Sequence, residues 1–157
     1  MDYTNHILLS LLLLNLSVAL GAGLYETRIV IPLWFSKLAT SVYRVNVDAM
    51  RDIDTGRKFW AFTTTIPLTL ITLANLVMAW QSNQPMRDWW IAAVVVTCIE
   101  RVSTFSFFIP TALKLQKADQ LSSAQVTRSV SLWIVLNYVR NALTLIAWIL
   151  ALRALSL

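Results

Sequence analysis

The sequence predicts an all-α fold, a transmembrane four-helix bundle with an amphipathic interfacial helix between the first and second spans. Three observations carry that expectation. Of 157 residues, 57% are hydrophobic and only 13% charged, with a mean hydropathy of +0.63, whereas a soluble domain is about a quarter charged. Four stretches approach the roughly 20 mostly apolar residues that a helix needs to cross the hydrocarbon core. The basic residues then fall almost entirely on one side of a chain that crosses four times.

The first stretch, Ile7 to Leu24, ends in Gly21-Ala22-Gly23, small residues of the kind found where a leader peptide is cut. No Lys or Arg precedes it, so it reads as a retained span. Phe59 to Trp80 and Trp89 to Pro110 follow, joined by Gln81 to Asp88, which is too short for anything but a turn around Pro85. The last is Leu132 to Leu152. These spans, 7–24, 59–80, 89–110 and 132–152, take up more than half of residues 1–157, which are read as a single membrane domain.

Segment 27–58 is long enough to carry structure. Phe35, Leu38, Val42, Val45 and Ala49 recur at the spacing of one helix face, and Lys37, Arg44 and Arg51 recur on another. The expectation is an amphipathic helix on the cytoplasmic leaflet, introduced by Pro32 and ended near Asp54-Thr55-Gly56. It would anchor to anionic lipid or act as a lid or docking face.

Orientation follows from the charges. One side holds Arg28, Lys37, Arg44, Arg51, Arg57 and Lys58, followed by Lys114, Lys117 and Arg128; the other holds Arg87 and Arg153. Both termini should therefore lie outside and the basic loops in the cytoplasm, in a bacterial inner membrane or another cell membrane. The net charge of +5 is read as topology, with the bilayer as partner and no nucleic acid. Tyr3, Trp80, Trp89 and Trp90 would mark the outer interface and Tyr25, Trp60 and Trp133 the inner one.

Scarce residue types exclude several functions. Cys98 is the only cysteine and His6 the only histidine, so an internal disulfide, bis-histidine haem ligation and a histidine metal cluster are all ruled out. Three glycines leave no phosphate-binding loop or dinucleotide fingerprint. No cofactor and no metal site are expected.

The candidate site consists of polar residues inside the spans, where ionisable groups cost several kcal/mol and usually face the bundle interior. Glu100 and Arg101 lie near the middle of the third span, Arg140 in the fourth and Asn15 in the first. Asn137, Arg140, Asn141 and Thr144 share one face of the fourth helix; Thr97, Glu100, Arg101 and Thr104 share one face of the third. Glu100 is expected to neutralise Arg140 or Arg101, leaving a surplus positive charge that an anionic or carbonyl-bearing ligand could meet. The competing reading is helix glue. A second group at the cytoplasmic end comprises Glu26, Arg28, Thr63 and Thr64, with Thr65 beside them, and Pro67 frees a backbone carbonyl nearby. Ser17 with Gly21, and Ala19 with Gly23, are small-residue pairs that permit close helix approach.

Four short motifs resemble those of the anthrone-oxygenase-like family of four-helix membrane proteins. They are Gly21-Ala22-Gly23-Leu24-Tyr25-Glu26, Pro32-Leu33-Trp34, Pro110, and Leu136-Asn137-Tyr138-Val139-Arg140-Asn141. The resemblance implies a compact four-helix bundle and, for the few members with an assigned activity, oxidation of polycyclic phenolic substrates; it assigns no catalytic residue here.

The expected function is binding of a small lipophilic molecule, quinone-like or phenolic, among Asn15, Arg101, Asn137, Arg140 and Asn141. In an enzymatic version Glu100 would be the catalytic acid/base. The alternatives are a membrane oxidoreductase, a structural or assembly subunit of a larger complex or homo-oligomer, and a small transporter. The last is disfavoured by the one-sided charge and by arginines unsuited to a cationic substrate.

Overall fold

A computed structural model describes residues 3–38 and 42–157. The chain forms α1 (Tyr3–Trp34), the strand pair β1 (Phe35–Lys37) and β2 (Tyr43–Val45), and a short α2 (Val47–Ile53). The helices α3 (Gly56–Gln81), α4 (Met86–Leu115) and α5 (Ser123–Leu155) follow. Together with α1 they are, among the described residues, the four helices long and apolar enough to cross a membrane. Ser122 caps α5 through a reciprocal pair, its hydroxyl accepting from Gln125 N–H and the Gln125 amide oxygen accepting from Ser122 N–H.

Side-chain hydrogen bonds fix the helix directions. Asn15 and Asn75 donate to the carbonyls of Thr63 and Leu8, so α1 and α3 are antiparallel. Trp90 donates to Asn75 at 2.9 Å, setting α3 against α4. Trp148 donates to Ser17, and Arg140 pairs with Glu26, setting α5 against α1. Since α4 also packs along α5, the four helices close into an all-α bundle. The chain ends and the Pro85 turn share one end, and the strand pair shares the other with the link 116–122.

Two apolar clusters fill this bundle, with a polar belt between them. Near the chain ends, Leu9, Leu12, Leu16, Trp90, Val94 and Ala151 are packed together. Near the strand pair the cluster is aromatic, with Trp34, Phe35, Phe108 and Trp133 beside Met50 and Leu115. The Trp133 ring meets Phe108, Phe35 and Trp34 edge-on at centroid separations of 5.1, 6.2 and 6.5 Å.

Three helices change pitch in the same way. The segments Glu26–Val30, Gly56–Thr65 and Thr104–Phe108 are π-helical, and each runs into an Ile-Pro step. Ile31, Ile66 and Ile109 donate to the carbonyls of Glu26, Ala61 and Thr104, five residues back. A proline within a helix removes one donor and crowds the preceding turn, and a wider turn relieves both effects. The carbonyl four residues before Pro67 belongs to Thr63 and accepts from Asn15 at 3.1 Å. The carbonyl expected to be freed at Pro67 is therefore satisfied by another helix.

The structure corrects three expectations. A continuous amphipathic helix does not form across the described part of segment 27–58; residues 39–41 lie outside the described residues. Phe35 and Val45, whose spacing fits a helix face, instead meet as a cross-strand pair, both buried. A new helix starts at Asn46, whose side chain caps Ala49 N–H, and stops at Asp54, which adopts φ 36°. Trp90 and Trp133 do not mark interfaces, being 0% and 3% exposed. Of the small-residue pairs only Ala19 with Gly23 is buried, and a Cβ at Gly23 would collide with Asn141; Gly21 is exposed with open space beside it.

Candidate functional site

Arg140 organises the polar belt. Its Nη2 donates to Glu26 Oε2 at 2.7 Å and to Asn137 Oδ1 at 2.6 Å. Its guanidinium carbon lies 4.3 Å from the centroid of Phe108 and 5.2 Å from that of Trp60, so aromatic faces attract the part of the cation that the carboxylate leaves uncovered. Thr27 ties the two helices together: its hydroxyl accepts from the side-chain amides of Asn137 and Asn141 and donates to the Gly23 carbonyl. The close approach at Gly23 is what lets Asn141 reach it.

Across the bundle Glu100 pairs with its sequence neighbour Arg101, and its other oxygen accepts from Thr104 at 3.1 Å. Both oxygens of this carboxylate are thus engaged by the chain itself. Of the two pairings expected for Glu100, the one with Arg101 forms and the one with Arg140 does not, because Glu26, one helical turn before the Ile-Pro step of α1, reaches Arg140 instead. The expected surplus charge disappears with it, since two carboxylates face two guanidiniums.

A cavity of about 330 Å³ lies between this belt and the aromatic cluster, within the usual range for small-molecule sites, roughly 300–1,000 Å³. Glu26, Glu100, Arg101 and Arg140 line it on the polar side; Trp34, Trp60, Phe108 and Trp133 form its aromatic wall. All three π-helical segments contribute, through Glu26, through Trp60 and Thr64, and through Thr104 and Phe108. Asp54, Arg57 and Gln116 sit at its strand-pair end, where Arg51 of α2 also holds the Gln116 carbonyl.

Among the described residues, three donors on the residues that line this cavity have no partner. Arg101 Nη1, Trp34 Nε1 and Trp133 Nε1 are buried and unpaired, on cavity-lining residues that are 8%, 4% and 3% exposed. A buried N–H without an acceptor costs about 1–3 kcal/mol. All three are donors, so only an acceptor can relieve them.

Glu100, Arg101, Arg140 and Asn141 line the cavity as the sequence suggests, with Asn137 directly behind through Arg140. Asn15 does not belong to it; its amide is spent on the Thr63 carbonyl. The second group divides, with Glu26 and Thr64 lining the same cavity. Thr63 contributes only its carbonyl to Asn15, and exposed Arg28 lines a separate recess with Pro32 and Tyr138. Sequence reasoning missed Thr27 and the aromatic wall. The repeated Ile-Pro step was the available signal, since it marks the level at which three helices widen. Among the described residues no group of three or more His, Cys, Asp or Glu side chains could hold a metal ion.

Comparison of the chain with family models, curated proteins and solved structures found no match.

Proposed function

We propose that this is an integral membrane protein that binds a small lipophilic molecule, by a carbonyl-bearing, quinone-like end, in the cavity between the polar belt and the aromatic wall. The observation that carries this reading is the set of three unpaired buried donors, Arg101 Nη1, Trp34 Nε1 and Trp133 Nε1. A dione or ketone supplies acceptors without bringing a proton donor that has nowhere to go. The balanced charges of Glu26, Glu100, Arg101 and Arg140 favour an uncharged ligand over an anion, because no net positive charge is left to meet one. Flat aromatic faces at Trp34, Trp60 and Phe108 suit a planar ring.

Membrane insertion is supported by the outward faces of the four long helices. Leu14, Phe62, Leu70, Val102, Val135 and Ile149 are each more than half exposed, and apolar exposure on that scale is not stable in water. The charge asymmetry supports an orientation with both chain ends outside and the strand-pair end in the cytoplasm.

The resemblance to the anthrone-oxygenase-like family suggests a polycyclic phenol or quinone in this site, and an oxidation with Glu100 as acid/base is the enzymatic extension. Binding is the simpler reading, since both Glu100 oxygens already hold partners.

The test is mass spectrometry of small molecules that co-purify with gently solubilised protein, compared with a Trp34→Phe/Trp133→Phe variant. A carbonyl-bearing lipophile retained by the wild type and depleted in the variant is expected. Bulk lipid alone in both preparations would refute the reading.

A further inference from the structure

The cavity is partly open, and the exposed residues of its lining identify what it opens to. Ala61 and Thr65 lie one turn apart on α3, and Ile109 and Leu113 one turn apart on α4; all four line the cavity. The two helices pack on each other through Ile66–Gln81 and Met86–Ser103. Nearer the strand pair they part company, Gly56–Thr65 packing on α1 and Ile109–Leu115 on α5. The sides of the resulting gap are apolar and open, with Ile109 and Leu113 40% and 50% exposed and Phe62, next to Ala61, 73% exposed. Apart from Thr65, the polar residues of the opening, Asp54, Thr55, Arg57 and Gln116, lie at its strand-pair end.

An opening to water would be rimmed by polar groups along its length. Apart from Thr65 this one is polar at the end and apolar along the helices, the pattern that matches a bilayer with its interface beside residues 54–57 and its hydrocarbon beside Ile109 and Leu113. We infer that the gap between α3 and α4 is a lateral portal, occupied by an apolar chain attached to the carbonyl-bearing head, so that the ligand is a long-chain amphiphile drawn from the membrane. The inference rests on the ligand-binding reading above and adds the second half of the ligand. The head is held by the donors of Arg101, Trp34 and Trp133; the chain lies between Ala61 and Leu113 and continues into lipid.

Quinones quench tryptophan fluorescence, and Trp34, Trp60 and Trp133 line the cavity, so binding can be titrated directly. The probes are 1,4-naphthoquinone and the same ring carrying a long alkyl chain, added to protein in nanodiscs of fixed lipid composition. Two plugs, Ala61→Trp and Leu113→Trp, are made separately so that misfolding of one does not decide the outcome. Each plug should weaken the long-chain probe at least about tenfold more than it weakens the chainless probe. Equal effects on both probes in both plugs, or no effect on either probe, would overturn the portal while leaving the cavity reading intact. Failure of the unmodified protein to bind either probe would overturn the ligand-binding reading and the portal with it.

Discussion

At the scale of single residues, the belt is held by charges that are worth little unless paired. Removing one partner of a buried ion pair leaves an uncompensated charge and costs about 3–5 kcal/mol, whereas replacing both with apolar groups of similar size is often neutral. Glu26→Gln should therefore destabilise the bundle by about that amount, and Glu26→Met/Arg140→Met should cost less than either single change. Unfolding titrations in mixed micelles measure this. Additive losses would contradict the pairing of Glu26 with Arg140. The tryptophans make a second comparison. Trp90 donates to Asn75, while Trp34 and Trp133 have no acceptor among the described residues. Trp90→Phe loses ring volume and also strands the Asn75 oxygen, so it should cost about 1–3 kcal/mol more than Trp34→Phe or Trp133→Phe. Equal costs in the same unfolding assay would mean that the two unpaired indoles have partners after all.

At the scale of elements, the Ile-Pro steps are what make room for a site. Each widens its helix by one residue in a turn, and all three widened turns meet at the cavity. Pro67→Ala restores a donor and lets α3 close to regular pitch, which rotates Trp60 and Thr64 away from the cavity. The expected outcome is unchanged or higher melting temperature with naphthoquinone binding weakened about tenfold or more; unchanged binding would detach the π-helical turns from the site. Helix approach gives a paired test. Gly23→Ala places a methyl against Asn141 and should cost about 1–3 kcal/mol, while Gly21→Ala, with open space around it, should be neutral or stabilising by up to about 1 kcal/mol. Melting of the two variants side by side decides it.

Much of the bundle was legible because its long helices are written in uninterrupted apolar runs. The Glu100, Arg101 and Arg140 group was legible because such residues in such runs are costly. Pairing was harder to read. Glu26 sits at the end of an apolar run and looks like an interfacial charge, and only the antiparallel register of α1 and α5 brings it to Arg140. Segment 35–53 misled because a hydrophobic spacing of three and four also fits a strand pair whose buried partners, Phe35 and Val45, lie opposite each other. The donor role of Trp34 and Trp133 could not be read at all, since an indole N–H is informative only once its partners are known.

At the scale of the whole molecule, an apolar exterior surrounds a polar belt, with the cavity offset toward the strand-pair end. The account requires the Pro85 turn and the link after α4 to lie on opposite sides of a membrane. In a Cys98→Ala background, Asn83→Cys should react with an impermeant maleimide from outside, and Lys117→Cys should react only after the membrane is breached; the reverse pattern would invert the assigned orientation. The central claim is that unpaired donors at the cavity hold an acceptor, and indole ¹⁵N–¹H spectra of the protein in nanodiscs test it most directly. On addition of 1,4-naphthoquinone the Trp34 and Trp133 Nε1–H resonances should move downfield. Those of Trp90 and Trp148, already bonded to Asn75 and Ser17, should stay in place. Stationary Trp34 and Trp133 resonances at saturating quinone would contradict the account.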